Sequence, residues 1–264
     1  MAGPTTAERG ERQQDPSGPP LVRGPGSPRL RRIIILAVLL VLLGAGSVWA
    51  LYGSTWLRVE RVSVSGARVL TPAEVRDAAA VPVGAPMISV DTDGIEARLR
   101  RKLPRIDTID VVRSWPHGIG LKVTERTPVL LVRKGANFVE VDDEGVRFAT
   151  VPQAPNAVPT LELSVSRTGS GAASYRRFGT DRLVREAVGV ARALPAAVAK
   201  DTRNVQVRSY DDISLQLADG RTVAWGSAEN GRLKARTLAA LMKAAPGARH
   251  FDVSVPTAPA SSGS

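Results

Sequence analysis

The sequence predicts an α+β protein hung from a single N-terminal transmembrane helix. Beyond the helix it predicts a strand–helix–helix–strand–strand unit, then a mixed α/β domain with an antiparallel sheet. The prediction rests on one uncharged apolar run, on two capped helical segments between alternating strands over residues 57–127, and on turn-punctuated alternation over 128–256.

The apolar run comes first. No charged residue occurs from Ile33 to Leu57, and Ile33 to Leu43 is continuously apolar. A helix of about 20 residues crosses the roughly 30 Å hydrocarbon core of a bilayer. Residues 29–56 therefore read as a basic juxtamembrane segment and a membrane span. Arg29, Arg31 and Arg32 flank it on the N-terminal side, which predicts a cytoplasmic N-terminus and a single-pass type II topology. Trp49, Tyr52 and Trp56 suit the far interface. The competing reading is a cleaved signal peptide with Val48-Trp49-Ala50 as its site. The basic cluster begins only at residue 29 and the run is long, so the anchor is favoured. Residues 1–28, rich in Gly, Pro, Glu, Gln and Arg, bury too little apolar surface to fold and read as a disordered cytoplasmic tail.

The net charge is +11. Six arginines against three acids in the first 32 residues leave +8 for the part outside the membrane. Arginines outnumber lysines among abundant Ala, Gly and Pro, as a GC-rich genome produces, and the few aromatics are not interleaved with basic clusters. An extracytoplasmic position argues against nucleic acid as partner and ATP as cofactor. There is no cysteine, hence no disulfide framework.

The first outer unit opens on the strand VERVSVSGA, with Val62 and Val64 on one face and Gly66 at its end. In TPAEV, Thr71 is an N-cap, Pro72 the first helical residue, and Glu74 completes a capping box. A second helix, DGIEARLRRKLP, is capped by Asp91 or Asp93, carries the stripe Ile95, Leu99 and Leu103, and stops at Pro104. Two strands follow. In the second, Ile119, Leu121 and Val123 alternate with Lys122 and Thr124.

Between those strands lies WPHG. Pro116 and Gly118 suit the second and fourth positions of a type I turn, with Gly118 left-handed to close a three-residue hairpin. His117 is then expected at an exposed tip, as a solvated turn residue and not a catalytic one. Glu125 and Arg126 end the strand before Pro128; as neighbours they point to opposite faces and form no catalytic pair.

The second unit starts with NFVEVDDEGVRFA, a hairpin turning at Asp142 to Gly145. A long Pro- and Gly-rich connection follows, with brief pairing at VPTLEL. Next come a helix capped by Thr180, three strands turning at Asp211-Asp212 and Asp219-Gly220, and a helix with Leu233, Leu238, Leu241 and Ala245 as its apolar stripe. HFDVSVP is a last short strand closed by Pro256, and residues 257–264 are expected to be a disordered tail.

No catalytic template is present: no G-x-S-x-G, P-loop, H-E-x-x-H or G-x-G-x-x-G. The acidic pairs sit in turns, where Asp accepts local backbone bonds. Arg98, Arg100 and Arg101 read first as a solvated helix face. The expectation is therefore no enzyme, no metal and no cofactor.

The strand–helix–helix–strand–strand order over about 70 residues resembles a POTRA domain. With the basic anchor, VERVSVSGA, VGAPMISVD, LPRIDTIDVVRSWPHGIGLKVTERTPV and FVEVDDEGVRF in this order, the chain resembles the FtsQ/DivIB cell-division proteins over residues 29–256. The resemblance implies a POTRA domain at 57–127 and a C-terminal β-domain at 128–256. It implies a divisome scaffold in the cell membrane, enriched at the septum, linking septal assembly to the septal peptidoglycan synthase complex. Its partners would be bitopic coiled-coil proteins like FtsB and FtsL, bound by β-strand addition. Carried over by position, the binding strand is His250, Phe251, Asp252, Val253, Ser254 and Val255. Gram-negative members carry Arg-Tyr where Ser254-Val255 falls here, so the main-chain mode carries over and the side-chain specificity does not. The other readings are a membrane-tethered POTRA adaptor outside division and an anchored wall hydrolase.

Overall fold

A computed structural model of the chain describes residues 28–164 and 169–263. The expectation of disorder for 1–28 falls outside the described residues up to position 27, and Pro28 already begins a helix. The described residues divide into two compact units, one ending at Gly53 and the other beginning at Ser54.

In the first unit, α1 (Pro28–Tyr52) is 25 residues long and extends about 37 Å at the α-helical rise. It is long and apolar enough to cross a membrane. Ser47, a polar interruption, donates its hydroxyl to the Leu43 carbonyl at 2.8 Å, which satisfies it within the helix.

In the second unit, β1 (Arg61–Ser65), α2 (Pro72–Ala79), α3 (Thr92–Lys102), β2 (Ile106–Ser114) and β3 (Gly118–Glu125) make a three-stranded sheet in the order β1-β3-β2. The β1–β3 pairing is parallel and β2–β3 antiparallel. The capping box forms as expected: the Glu74 amide donates to Thr71 Oγ1 and the Thr71 amide to Glu74 Oε2. Asp91, not Asp93, caps α3 by accepting from the Gly94 amide at 2.9 Å. Ile95 and Leu99 pack with Val75, Met87, Ile109, Ile119, Leu121 and Val123 as one core. Gly66 ends β1 at φ +85°, where an added Cβ would stand 2.1 Å from the Val123 carbonyl oxygen; only glycine fits.

The WPHG turn departs from expectation. The loop is three residues long, with Ser114 and Gly118 in register across it. Gly118 is not left-handed; it is the first residue of β3, and the Trp115–Pro116 peptide is cis. His117 is half-buried and not a free tip. Its Nδ1 lies 2.8 Å from the Trp56 carbonyl, its own carbonyl accepts from the Glu60 and Arg61 amides, and its ring meets Trp56 edge-on. It ties the start of this unit to the β2–β3 hairpin.

The rest of the unit comprises β4 (Leu130–Lys134), β5 (Asn137–Val141), β6 (Arg147–Val151), β7 (Thr160–Leu163), α4 (Gly169–Ala193), α5 (Ala196–Asp201), β8 (Thr202–Val207), β9 (Ile213–Leu217), β10 (Thr222–Gly226), α6 (Gly231–Ala244), β11 (His250–Asp252) and β12 (Ala260–Ser262). Its nine-stranded sheet runs β12-β11-β10-β9-β8-β7-β4-β5-β6. Antiparallel pairings predominate, but β4–β7, β7–β8 and β10–β11 are parallel. Parallel neighbours need a crossover; α4 and α5 supply it between β7 and β8, and α6 between β10 and β11. VPTLEL is thus an interior strand. α4 starts before the expected cap and breaks at Gly179 (φ 70°, ψ 170°), where Thr180 bonds the Tyr175 phenol. Leu183, Val184, Ala187 and Leu238 face the sheet and enclose Trp225 and Phe251, whereas Leu233 of the expected α6 stripe is exposed.

The two sheets meet at a charged seam around Glu125 and Arg126. Glu125 turns back, and its carboxylate accepts from the amides of Arg68, Val69 and Leu70 at 2.8–3.1 Å. Arg126 turns forward onto buried Asp142, with Glu144 and Asp107 at 3.5 Å. Beside it, Arg105 pairs with buried Glu140 and lies over the Phe148 ring. Asp142 also accepts from the Glu144 and Val146 amides, which shapes the β5–β6 turn.

Candidate partner-binding edge

The predicted binding strand is next to last in the nine-stranded sheet. β11 is parallel to β10, with His250, Phe251 and Asp252 opposite Thr222, Val223 and Ala224. The Arg249 carbonyl accepts from the Thr222 amide, and the Val253 amide donates to the Ala224 carbonyl, both at 2.9 Å. Alternate residues of a strand direct their main-chain groups to opposite sides. The N–H and C=O groups of His250 and Asp252 therefore point away from β10. Phe251 and Val253 are buried, while the His250 and Asp252 side chains are exposed.

The strand is shorter than the sequence suggested. Asp252 Oδ1 accepts from the Ser254 amide at 2.8 Å and from its hydroxyl at 2.6 Å, a local turn that ends β11. Val253, Ser254 and Val255 lie outside it. Gly226 at φ +78° admits this turn, since a Cβ there would stand 3.0 Å from Ser254 Cβ.

Two features were not foreseen. Residues 257–264 are not wholly an unstructured tail: Ala260–Ser262 form β12, antiparallel to β11. β11 is consequently not the outermost strand. And Lys234 of α6 is buried, its ammonium donating to the carbonyls of Trp225 and Ser227 at 2.9 Å. Burial pushes its pKa down, with Glu229 and Asp252 opposing that. Nothing in the residue pattern distinguished Lys234 from the other basic residues of the helix.

The remaining site candidates stay apart. Arg29, Arg31 and Arg32 are exposed at the start of α1. His117 bonds Trp56 whereas His250 bonds Thr222 at 2.7 Å, so the two histidines share no partner. Among the described residues no group of His, Cys, Asp or Glu could hold a metal.

Residues 57–126 match the model of the FtsQ-type POTRA domain, and residues 130–254 that of the C-terminal region of the cell division protein FtsQ/DivIB. A cell division protein FtsQ of Streptomyces collinus is 76% identical over 264 residues, covering 100% of both chains. This chain belongs to the FtsQ/DivIB family. The FtsQ of Streptomyces coelicolor is 74% identical, again over 100% of both. That of Mycobacterium tuberculosis is 30% identical over 247 residues, 94% of this chain and 73% of the relative. In this FtsQ/DivIB chain the two matched regions leave Thr127, Pro128 and Val129 between them, directly after Arg126 of the seam.

Proposed function

We propose that this chain is a non-enzymatic scaffold of the division site. α1 anchors it in the cell membrane with the N-terminus cytoplasmic, as Arg29, Arg31 and Arg32 argue, and with the POTRA domain (57–127) and β-domain (128–256) outside. It concentrates at the septum. There it binds bitopic coiled-coil partners like FtsB and FtsL and links them to the septal peptidoglycan synthase complex. Binding occurs by strand addition along β11, His250–Asp252, the extended part of the predicted strand His250–Val255.

The observation that carries this reading is the direction of the His250 and Asp252 main chain, away from β10 and toward the short β12 alone. Such groups are the template a further strand pairs with. Phe251 and Val253, buried beneath, hold the template rigid. Membership of a cell-division family supports the septal role over an adaptor used elsewhere in the envelope.

The test substitutes the template. Val253 is a poor position, because its amide already serves β10. His250→Pro removes one outward N–H and leaves the Asp252 turn intact. It should abolish capture of the FtsB-like partner by the membrane-inserted chain while circular dichroism stays unchanged; undiminished capture refutes the site. A fluorescent fusion spread evenly over the envelope refutes the septal role.

A further inference from the structure

β12 occupies the place that strand addition requires. Ser262, Ser261 and Ala260 stand in register with His250, Phe251 and Asp252, and the Arg249 amide donates to the Ser262 and Gly263 carbonyls at 3.0 and 2.9 Å. The occupant comes from the chain itself, and little besides its backbone holds it. All three β12 residues are exposed, and none contributes a side chain to the core. Phe251 beside them is 2% exposed. Gly263, at φ +79°, lets the chain lie close over β11: an added Cβ would stand 3.2 Å from His250 Cδ2 and 3.4 Å from Arg249 Cβ.

We propose that residues 257–263 are a resident strap that keeps the β11 acceptor edge closed, and that a partner strand binds by displacing β12. The proposal rests on the strand-addition reading above. Its physical basis is a difference in what two strands gain from the same ladder. Directly opposed residues in an antiparallel pair place their side chains on the same face. Ser261 therefore lies beside Phe251, on the core side, with almost nothing to bury. An incoming extended segment with an apolar side chain at that central position gains the same main-chain bonds and adds burial. The strap meanwhile protects a bare edge from indiscriminate pairing. The favoured partner is thus an extended segment, antiparallel to β11, whose central residue is apolar.

The edge is competent only when the strap is open, so apparent affinity is lowered by the open fraction. With a minor state populated at about 10% or less, removing the strap tightens binding by about tenfold or more. The test compares three full-length membrane-inserted chains: wild type, a chain ending at Pro256, and Gly263→Val, which crowds the strap off β11 without shortening it. Each carries a photoreactive residue in place of His250. The probe is the extracytoplasmic half of the FtsB-like partner of the same organism. Binding at least about tenfold tighter in both variants, with a cross-link from position 250 in all three chains, supports the strap. Cross-linking at 250 with unchanged affinity means the edge is used but not gated, which overturns the proposal and leaves strand addition standing. Loss of binding on truncation makes β12 itself the docking strand, which also overturns it. No cross-link at 250 in any chain, together with undiminished capture by His250→Pro, removes the strand-addition reading and the strap with it.

Discussion

Glu125 and Arg126 are consecutive in the chain and serve different domains. The carboxylate of Glu125 gathers the amides of residues 68–70 within the POTRA domain, while the guanidinium of Arg126 reaches Asp142 at the β5–β6 turn of the β-domain. Period-two alternation at the end of β3 sends the two side chains apart. One dipeptide thereby closes one domain and joins it to the next.

The first prediction concerns that joint. Asp142 is 2% exposed, and removing Arg126 strands a buried carboxylate. Breaking a buried pair by deleting one member costs about 3 kcal/mol or more. Arg126→Ala should lower the thermal midpoint of the detergent-solubilised chain by roughly 6–12 °C. A midpoint within about 2 °C of wild type, a change worth about 1 kcal/mol or less, would show that water replaces the guanidinium. Loss of the Arg105–Glu140 pair, tested by Arg105→Ala, should act in the same direction.

Glu125 predicts a pH dependence. Partial burial pushes its pKa up, but the amides of Arg68, Leu70 and Val69 and the nearby Arg105 outweigh it, and the net shift is downward. A carboxylate whose folded pKa lies below its unfolded value, about 4.3, binds fewer protons when folded. Its stabilisation is present above the unfolded value and is lost as pH falls through the folded one. Urea unfolding should therefore find Glu125→Gln less stable than wild type at neutral pH, with the gap closing in acid below the folded pKa. A gap that stays constant with pH would mean that folding does not lower the Glu125 pKa.

A third prediction separates two glycines of similar backbone geometry. Gly66 and Gly135 have φ of +85° and +63°, but only Gly66 faces an obstruction, the Val123 carbonyl. Gly135→Ala should cost about 1 kcal/mol, the left-handed penalty alone. Gly66→Ala adds a main-chain clash that only movement of β3 relieves, so it should cost distinctly more, about 3 kcal/mol. Equal losses in chemical denaturation would show that β1 shifts freely against β3.

Much of the fold was legible because local chemistry carried it. The Thr71–Glu74 box, the Asp91 cap and the alternation Ile119, Leu121, Val123 each occupy a few residues and need no knowledge of the rest. The site was less legible, because it depends on main-chain pairing. Ala260-Ser261-Ser262 has the composition of an unstructured tail, and it is ordered by backbone bonds to β11 that leave no mark on side-chain pattern. The end of β11 at Asp252 was missed for a related reason: an apolar alternation through Val253 and Val255 suggested extension, while the Asp252 carboxylate folded the chain at Ser254. Lys234 carried no signal, because helical spacing alone does not reveal that the Trp225 and Ser227 carbonyls lie within reach of its ammonium.

His117, which the sequence offered as an incidental turn residue, has a consequence for where the first sheet starts. A carbonyl oxygen can only accept a hydrogen, so Nδ1 must carry one to bond Trp56. The ring bond to Trp56 and the carbonyl bonds from Glu60 and Arg61 all run from one turn residue to the chain that enters β1. The tip between β2 and β3 thereby fixes where β1 begins. Recasting WPHG would unmoor the entry to the first sheet as well as the hairpin.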